Sequence, residues 1–191
     1  MAKIFLEPDN IKLMYDAAKS RSIRDEVLLR IMGNTGLRVS DARCLLIEEV
    51  SSPSGEVYTC IRKKMKKTKS YVEREINNNT REAIRRYLPL VVRKSIYLFP
   101  GSDPSKPIGR TYCHELFKYI LSKIMPASFD LKGASTHTLR RSVAMLLAQE
   151  TSLQVASSFL GHKSISSTTS YLSKDILGKE AKEFLSNRLN F

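Results

Sequence analysis

The chain of 191 residues contains few of the residues that build disulfide-linked or metal-bound proteins, with three cysteines and three histidines. Cys44, Cys60 and Cys113 are odd in number and share no metal-ligand spacing, so we predict reduced structural thiols, with neither zinc nor disulfides. The sequence also lacks a carboxylate cluster, a Gly-rich nucleotide loop and a Ser-His-Asp set. We therefore expect no metal and no cofactor.

Long apolar segments are missing as well. No run approaches the roughly 20 residues that a membrane span requires, and the beginning "MAKIFLEPDN" has no apolar signal-peptide core. We expect a cytoplasmic protein with no membrane partner. The length suits a single domain over residues 1–191, and 42% hydrophobic with 27% charged residues is typical of a globular chain.

Acidic residues are scarce relative to basic ones. The 19 Asp and Glu residues face 32 Lys and Arg residues, which gives a net charge of +13. Nucleic acid is the commonest partner of such a chain, because each neutralised phosphate releases condensed counterions. A merely soluble basic protein, or one that lies on an anionic membrane, would show the same excess.

Hydrophobic periodicity predicts a mainly helical α+β fold. Ser22 and Asp25 have capping-box spacing at the start of the second helix, Gly33 should end that helix, Ser40 should cap the third, and Pro89 should end the fourth. The helices are predicted at about 8–19, 22–33, 40–46, 80–88, 111–124, 138–149 and 153–160, the last ending at Gly161.

A small antiparallel sheet is predicted between residues 47 and 76. A short strand and a turn around Pro53 and Gly55 come first, and two alternating segments, 57–61 and 72–76, then form a hairpin. The hairpin tip "RKKMKKTK" has six basic residues in eight, from which we take Arg62, Lys64, Lys66 and Lys69 as DNA-binding. Alone, such a cluster is more often a solvated loop or a targeting signal.

Four places combine residues that suit phosphate chemistry. They are Arg38 in "TGLRVSD", the lysines of the tip, His137 and Arg140 in "THTLRRS", and His162 with Tyr171 in "LGHKSISSTTSYL". Each has an ordinary structural interpretation when taken alone. Together they supply a nucleophile, proton-transfer groups and bidentate donors, which is a set suited to cleavage of a phosphodiester by Tyr171. Arg141, beside this set, is predicted to bind DNA.

These motifs, in this order, resemble the catalytic domain of the tyrosine recombinase (phage integrase) family. The resemblance covers about residues 5–180 and includes a tyrosine nine residues beyond the histidine of "LGH". It implies that Arg38 and Arg140 hold the phosphate, that His137 assists proton removal from Tyr171 and that His162 contacts the phosphate or orients the tyrosine. It also implies double-stranded DNA as substrate, a covalent 3′-phosphotyrosine without ATP or metal, and a homo-oligomer on DNA.

The general acid implied by the resemblance is a hairpin lysine, and Lys67 is our choice. Lys66 and Lys69 are close enough in sequence to remain alternatives. The function also has alternatives: a nicking and rejoining enzyme similar to type IB topoisomerases, and a DNA-binding relative that does not cut.

The chain departs from the family pattern because no separate N-terminal DNA-clamping domain precedes the motifs. It is expected to be either a naturally short recombinase or a fragment. Residues 174–191 form a predicted amphipathic helix, which either packs on its own domain or, as the resemblance implies, is exchanged between protomers.

Overall fold

The computed structural model describes residues 4–64 and 71–161, which are mostly helical as predicted. The helices are α1 Pro8–Arg21, α2 Ile23–Thr35, α3 Val39–Ala42, α4 Asn78–Val91, α5 Arg110–Ile124, α6 Thr136–Glu150 and α7 Leu153–Leu160. The strands are β1 Cys60–Lys64 and β2 Tyr71–Glu75, and two 3-10 helices cover Ile47–Glu49 and Leu131–Gly133. One compact unit ends at Ser142 and a second begins at Val143.

The first unit is built around α2. Helices α1 and α4 pack against α2, and α5 packs against α1. Both faces of α2 are apolar enough for this position: Val27, Leu28, Leu29, Ile31 and Met32 are at most 1% exposed. Burial of this kind contributes about 25 cal/mol per Å² of apolar surface, so these five side chains stabilise the packing of α1 and α4 on α2.

Two buried carboxylates on α2 bind the surrounding helices through charge. Asp25 pairs with Arg21 of α1 and accepts a hydrogen bond of 2.8 Å from the Tyr112 hydroxyl of α5. Glu26 is paired with Arg30 at 2.8 Å and with Arg86 of α4 at 3.2 Å. A buried carboxylate is tolerated only when it is paired in this way. The pairs therefore hold α1, α4 and α5 in place on α2.

The predicted end of the second helix is wrong. Gly33 lies inside α2, where a Cβ would collide with the Tyr15 hydroxyl, so the glycine permits close packing of α1 on α2. The helix ends two residues later at Thr35, and Gly36 adopts the left-handed conformation with φ of 60°. The Ser22–Asp25 capping box is also wrong. Ser22 precedes α2 without a side-chain cap, and its own N–H donates to the Ala18 carbonyl at 2.9 Å, while the Asp25 carboxylate binds Arg21 and Tyr112.

Two further helix boundaries differ from prediction. Ser40 lies within α3, whose cap is Arg38, and α3 ends at Ala42 instead of continuing to about residue 46. Pro89 does not end the fourth helix, which continues to Val91. Pro89 lies within the last turn of α4, two residues before its end. Its missing N–H removes one hydrogen bond from the helix, and the turn is stabilised by the buried neighbours Leu88 and Val91.

The predicted hairpin is confirmed, with a later start. β1 pairs antiparallel with β2, and its register joins Ile61 to Arg74 and Lys64 to Tyr71. The predicted strand before it is instead the 3-10 helix Ile47–Glu49, followed by the predicted turn, in which Gly55 has a φ of 89°. Helix α7 ends at Gly161 in the left-handed conformation, as predicted.

Candidate active site

Arg38 is held at the start of α3 by the turn that follows α2. The Gly36 N–H donates to the Met32 carbonyl at 3.0 Å, which closes α2, and the next N–H, of Leu37, is bound by the Thr35 hydroxyl at 3.2 Å. Arg38 then takes an extended conformation as the N-cap of α3. Leu37 is 1% exposed and anchors the turn in the core, while Arg38 is half-buried. The buried leucine therefore fixes the backbone position of the arginine that follows it.

Arg140 reaches the same turn from α6. Its side chain is 2% exposed, and its guanidinium donates a hydrogen bond to the carbonyl of Gly36, two residues before Arg38. The first turn of α6 is itself capped, since the Ser135 N–H donates to the Thr138 hydroxyl at 3.1 Å. The structure thus brings together the turn of "TGLRVSD" and the helix of "THTLRR", which are about a hundred residues apart in the chain.

His137 lies among positive charges at the start of α6. Its side chain is exposed, yet its pKa lies below the ordinary value. Partial loss of hydration is the largest cause, and the positive charges follow in the order Arg140, Arg141, Arg110 and Arg38. An imidazole with a lowered pKa is neutral at pH 7, so His137 has a ring nitrogen ready to accept a proton.

Arg110 is a member of this cluster that sequence reasoning missed. It is the first residue of α5 and is exposed. The segment before it is held by Arg43, whose guanidinium donates to the carbonyl of Ile108 at 2.5 Å. The missed signal was the pair Gly109–Arg110 at a helix start, which repeats the pattern that drew attention to Arg38. Several guanidinium groups around one point form a natural binding site for a phosphate.

The described part of the hairpin presents two of the predicted DNA-binding residues at the surface. Arg62 and Lys64 are exposed, and their cationic groups lie 5.5 and 5.6 Å from the centre of the Tyr71 ring. Lys66, Lys67 and Lys69 lie outside the described residues. Arg141 is half-buried and donates to the Thr138 hydroxyl at 3.1 Å.

The described residues contain neither a cluster of metal-ligating side chains nor a membrane-spanning helix. Within residues 4–64 and 71–161, no three His, Cys, Asp or Glu side chains gather as metal ligands would. No helix in that part of the chain has the length and apolar character needed to cross a bilayer.

The model of the phage integrase family matches residues 4–176. The chain belongs to the phage integrase family. The match covers the turn that holds Arg38, the hairpin, and the helix that carries His137 and Arg140.

The chain is similar to curated proteins that are named as recombinases. It is 26% identical over 168 residues to a probable integrase/recombinase of Methanocaldococcus jannaschii, covering 84% of this chain and 49% of that protein. It is 28% identical over 165 residues to the tyrosine recombinase XerC of Staphylococcus carnosus, covering 82% and 51%. The chain spans about half the length of these relatives.

Solved structures of recombinases have the same fold. XerA recombinase matches with a TM-score of 0.79 and 20% identity, over 100% of this chain and 67% of that one. XerH bound to palindromic difH in a post-cleavage complex matches with a TM-score of 0.74 and 20% identity, over 93% and 51%. A lambda integrase dimer bound to a COC′ core site matches with a TM-score of 0.68 and 18% identity, over 92% of this chain and 50% of that one.

Two predicted site residues of this integrase family chain, His162 and Tyr171, lie outside the described residues. Their assignment therefore remains a prediction from the motif "LGH" and from the tyrosine nine residues after its histidine. The described part contributes Arg38, His137 and Arg140, and the structure places their segments together.

Proposed function

We propose that this chain is the catalytic domain of a site-specific DNA recombinase, which cleaves and rejoins strands through a covalent 3′-phosphotyrosine. The observation that carries the proposal is the hydrogen bond from Arg140 to the carbonyl of Gly36. It joins the two arginine-bearing segments beside a histidine whose pKa is lowered by partial burial and, after that, by positive charges that include both arginines. Family membership and DNA-bound structural neighbours support the same function.

In the proposed cleavage step, the Tyr171 oxygen attacks the scissile phosphorus while the bond from phosphorus to the 5′ oxygen breaks. Negative charge increases on the non-bridging oxygens, and Arg38 and Arg140 stabilise it with bidentate hydrogen bonds. A phenol with a pKa of about 10 is a poor nucleophile at neutral pH. Neutral His137 is suited to receive the phenolic proton.

The leaving 5′ oxygen also needs a proton. We assign this role to Lys67, with Lys66 and Lys69 as the alternatives within the same segment. His162 would bind a phosphate oxygen or orient Tyr171. A 5′-hydroxyl from the partner strand then attacks the phosphotyrosine and restores the phosphodiester, so the energy of the broken bond is retained and neither ATP nor a metal is required.

Binding to the substrate would use the remaining cations. We propose that Arg62, Lys64, Lys66, Lys69 and Arg141 contact double-stranded DNA, and that two or more copies of the protein assemble on it. Contacts to phosphates position the protein and carry no sequence information by themselves. The net charge of +13 suits such backbone contacts.

The test begins with DNA selected by the protein from a random duplex library. Two duplexes bearing the selected site, with different labels, are incubated with the protein, and exchanged strands are separated on a denaturing gel. A recombinase yields hybrid-length products that depend on the site. Relaxation of supercoiled plasmid without exchange would identify the topoisomerase-like alternative, and binding with neither reaction would identify a DNA-binding relative.

A further inference from the structure

The hairpin contains a lysine that does not belong with the exposed basic residues around it. Lys63 is 7% exposed, whereas Arg62 and Lys64 on either side are exposed. Strand alternation puts Lys63 on the same face as Ile61, which is fully buried. Lys63 is therefore directed into the protein and is not available to DNA.

The ammonium group of Lys63 is held by one short segment. Its Nζ atom donates to the Glu49 carboxylate at 2.7 Å and to the Cys44 carbonyl at 2.8 Å. The same carboxylate oxygen of Glu49 accepts the Leu46 N–H at 2.8 Å. These contacts join β1 to residues 44–49, the segment that follows α3 and its N-cap Arg38.

An ion pair between a buried lysine and a half-buried glutamate is an unusual choice for this position if stability were its only purpose. An apolar side chain packed beside Ile61 would bury surface without desolvating two charges, and such replacements are often neutral or stabilising. The ion pair adds a fixed position of β1 relative to residues 44–49. Three donors on one nitrogen and two acceptors at fixed places define the position of the strand along and across the segment, which an apolar contact does not do.

We propose that Lys63 and Glu49 are positioning residues that align the hairpin with residues 44–49, the segment that follows Arg38 and α3, and so place the lysine that protonates the leaving 5′ oxygen. The inference rests on the proposed function. Lys67 follows Lys63 by four residues in the chain. Catalytic groups lose effectiveness steeply when displaced, and about 1 Å can cost a hundredfold in rate.

The test uses two substrates and a variant from which both charges are removed. Lys63→Met combined with Glu49→Gln keeps the side-chain lengths and leaves no unpaired buried charge. Single-turnover cleavage is measured on a nicked suicide duplex carrying either the ordinary 5′ oxygen or a 5′-bridging sulfur, whose thiolate leaves without a proton. A matched control is Lys106→Met with Asp103→Asn, an exposed pair 3.4 Å apart.

The proposal predicts that the double variant cleaves the oxygen substrate about tenfold or more slowly than the parent. It should cleave the sulfur substrate within about twofold of the parent rate, as a displaced general acid requires. The control variant should match the parent on both substrates. Equal slowing on both substrates, or no slowing on either, would overturn the positioning role.

Failure of the proposed function gives a different result. If the parent forms no covalent adduct on either substrate, the recombinase assignment fails and the positioning role with it. If the parent cleaves and Lys67→Ala is rescued by sulfur while the double variant is not, the function stands and only the positioning role is overturned. Should the double variant not fold, Glu49→Gln alone, which keeps an acceptor for Lys63, is used instead. Its cleavage rates on the oxygen and sulfur substrates are compared with those of the parent in the same way.

Discussion

At the residue scale, partial burial and the guanidinium groups nearby together lower the pKa of His137. Loss of hydration is the largest cause, and each positive charge makes protonation of the imidazole still less favourable, so the ring stays neutral to a lower pH than an isolated histidine. A lowered pKa suits His137 to the role of proton acceptor, because it keeps the imidazole neutral. Its accepting form persists as the pH falls to about 6.5, the ordinary pKa, and is lost only below that.

Replacing Arg110 by Gln is expected to raise the pKa of His137 towards its ordinary value, because one nearby positive charge is removed. The measurement is a titration of the His137 ring resonances by NMR. Lys123→Gln, at the other end of α5, is the control and should leave the midpoint unchanged. A midpoint unaffected by the Arg110 change would show that this arginine does not act on the histidine.

Arg140→Lys, and separately Arg38→Lys, should slow cleavage strongly although the charge is retained. Lysine offers a point charge where a planar fork is needed, and loss of one such donor to a developing oxyanion costs about 3 kcal/mol, or roughly a hundredfold in rate. Single-turnover cleavage measures the effect, with exposed Arg93→Lys as the control. Rates for both variants within a few fold of the parent would argue against a phosphate clamp.

At the scale of the elements, the N-terminus of α4 has a side-chain cap and that of α2 has none. The Asn77 side chain accepts the Thr80 N–H at 2.9 Å and so caps α4, while Asn34 of α2 accepts both the Asn77 N–H and the Thr80 hydroxyl. Ser22 occupies the equivalent position before α2 without a side-chain hydrogen bond. Two residues that both favour the N-cap position thus differ, since only Asn77 forms a side-chain cap.

Asn77→Ala should lower the free energy of unfolding by about 1 kcal/mol, the usual cost of losing a cap. Ser22→Ala should change it by less than about 0.5 kcal/mol, as for a surface substitution without a specific contact. Chemical denaturation of the two variants beside the parent measures both. Equal losses would mean that the hydrogen bond of Asn77 contributes no more than the backbone position of Ser22.

The elements also show what the sequence could and could not predict. Periodicity located the long helices and the hairpin, because both patterns depend on local burial. It misplaced the end of α2, since the position of Gly33 depends on Tyr15 of another helix. It assigned no role to Lys63, because the partner Glu49 lies 14 residues earlier in the sequence. Short motifs found Arg38, His137 and Arg140. Arg110 was missed, because Gly109 before a helix start is a weak signal by itself and only the structure shows that Arg110 acts on His137.

At the scale of the whole molecule, the proposed reaction requires parts of the chain and copies of the protein to act together. A single cleavage would leave a broken strand unless a partner strand is presented. We propose that assembly on DNA governs placement of Tyr171 and that residues 174–191 take part in it, because a segment shared between protomers couples assembly to the site.

Deletion of residues 178–191 should leave binding to a single site largely intact and remove cooperative assembly and strand exchange. Electrophoretic mobility measures binding on one-site DNA and cooperative assembly on two-site DNA. The labelled-duplex assay measures strand exchange. If the truncated protein unfolds without DNA, the segment belongs to the core of its own protomer, and exchange between protomers loses its support.

The most direct test is to identify the bond between protein and DNA. The parent protein is incubated with a nicked suicide duplex of the selected site, digested with protease and nuclease, and analysed by mass spectrometry. The account predicts one modified peptide, with Tyr171 linked to the 3′ phosphate of the cleaved strand, and no adduct from Tyr171→Phe, which should still bind the duplex. An adduct on another residue, a link through a 5′ phosphate, or an adduct formed by Tyr171→Phe would contradict it.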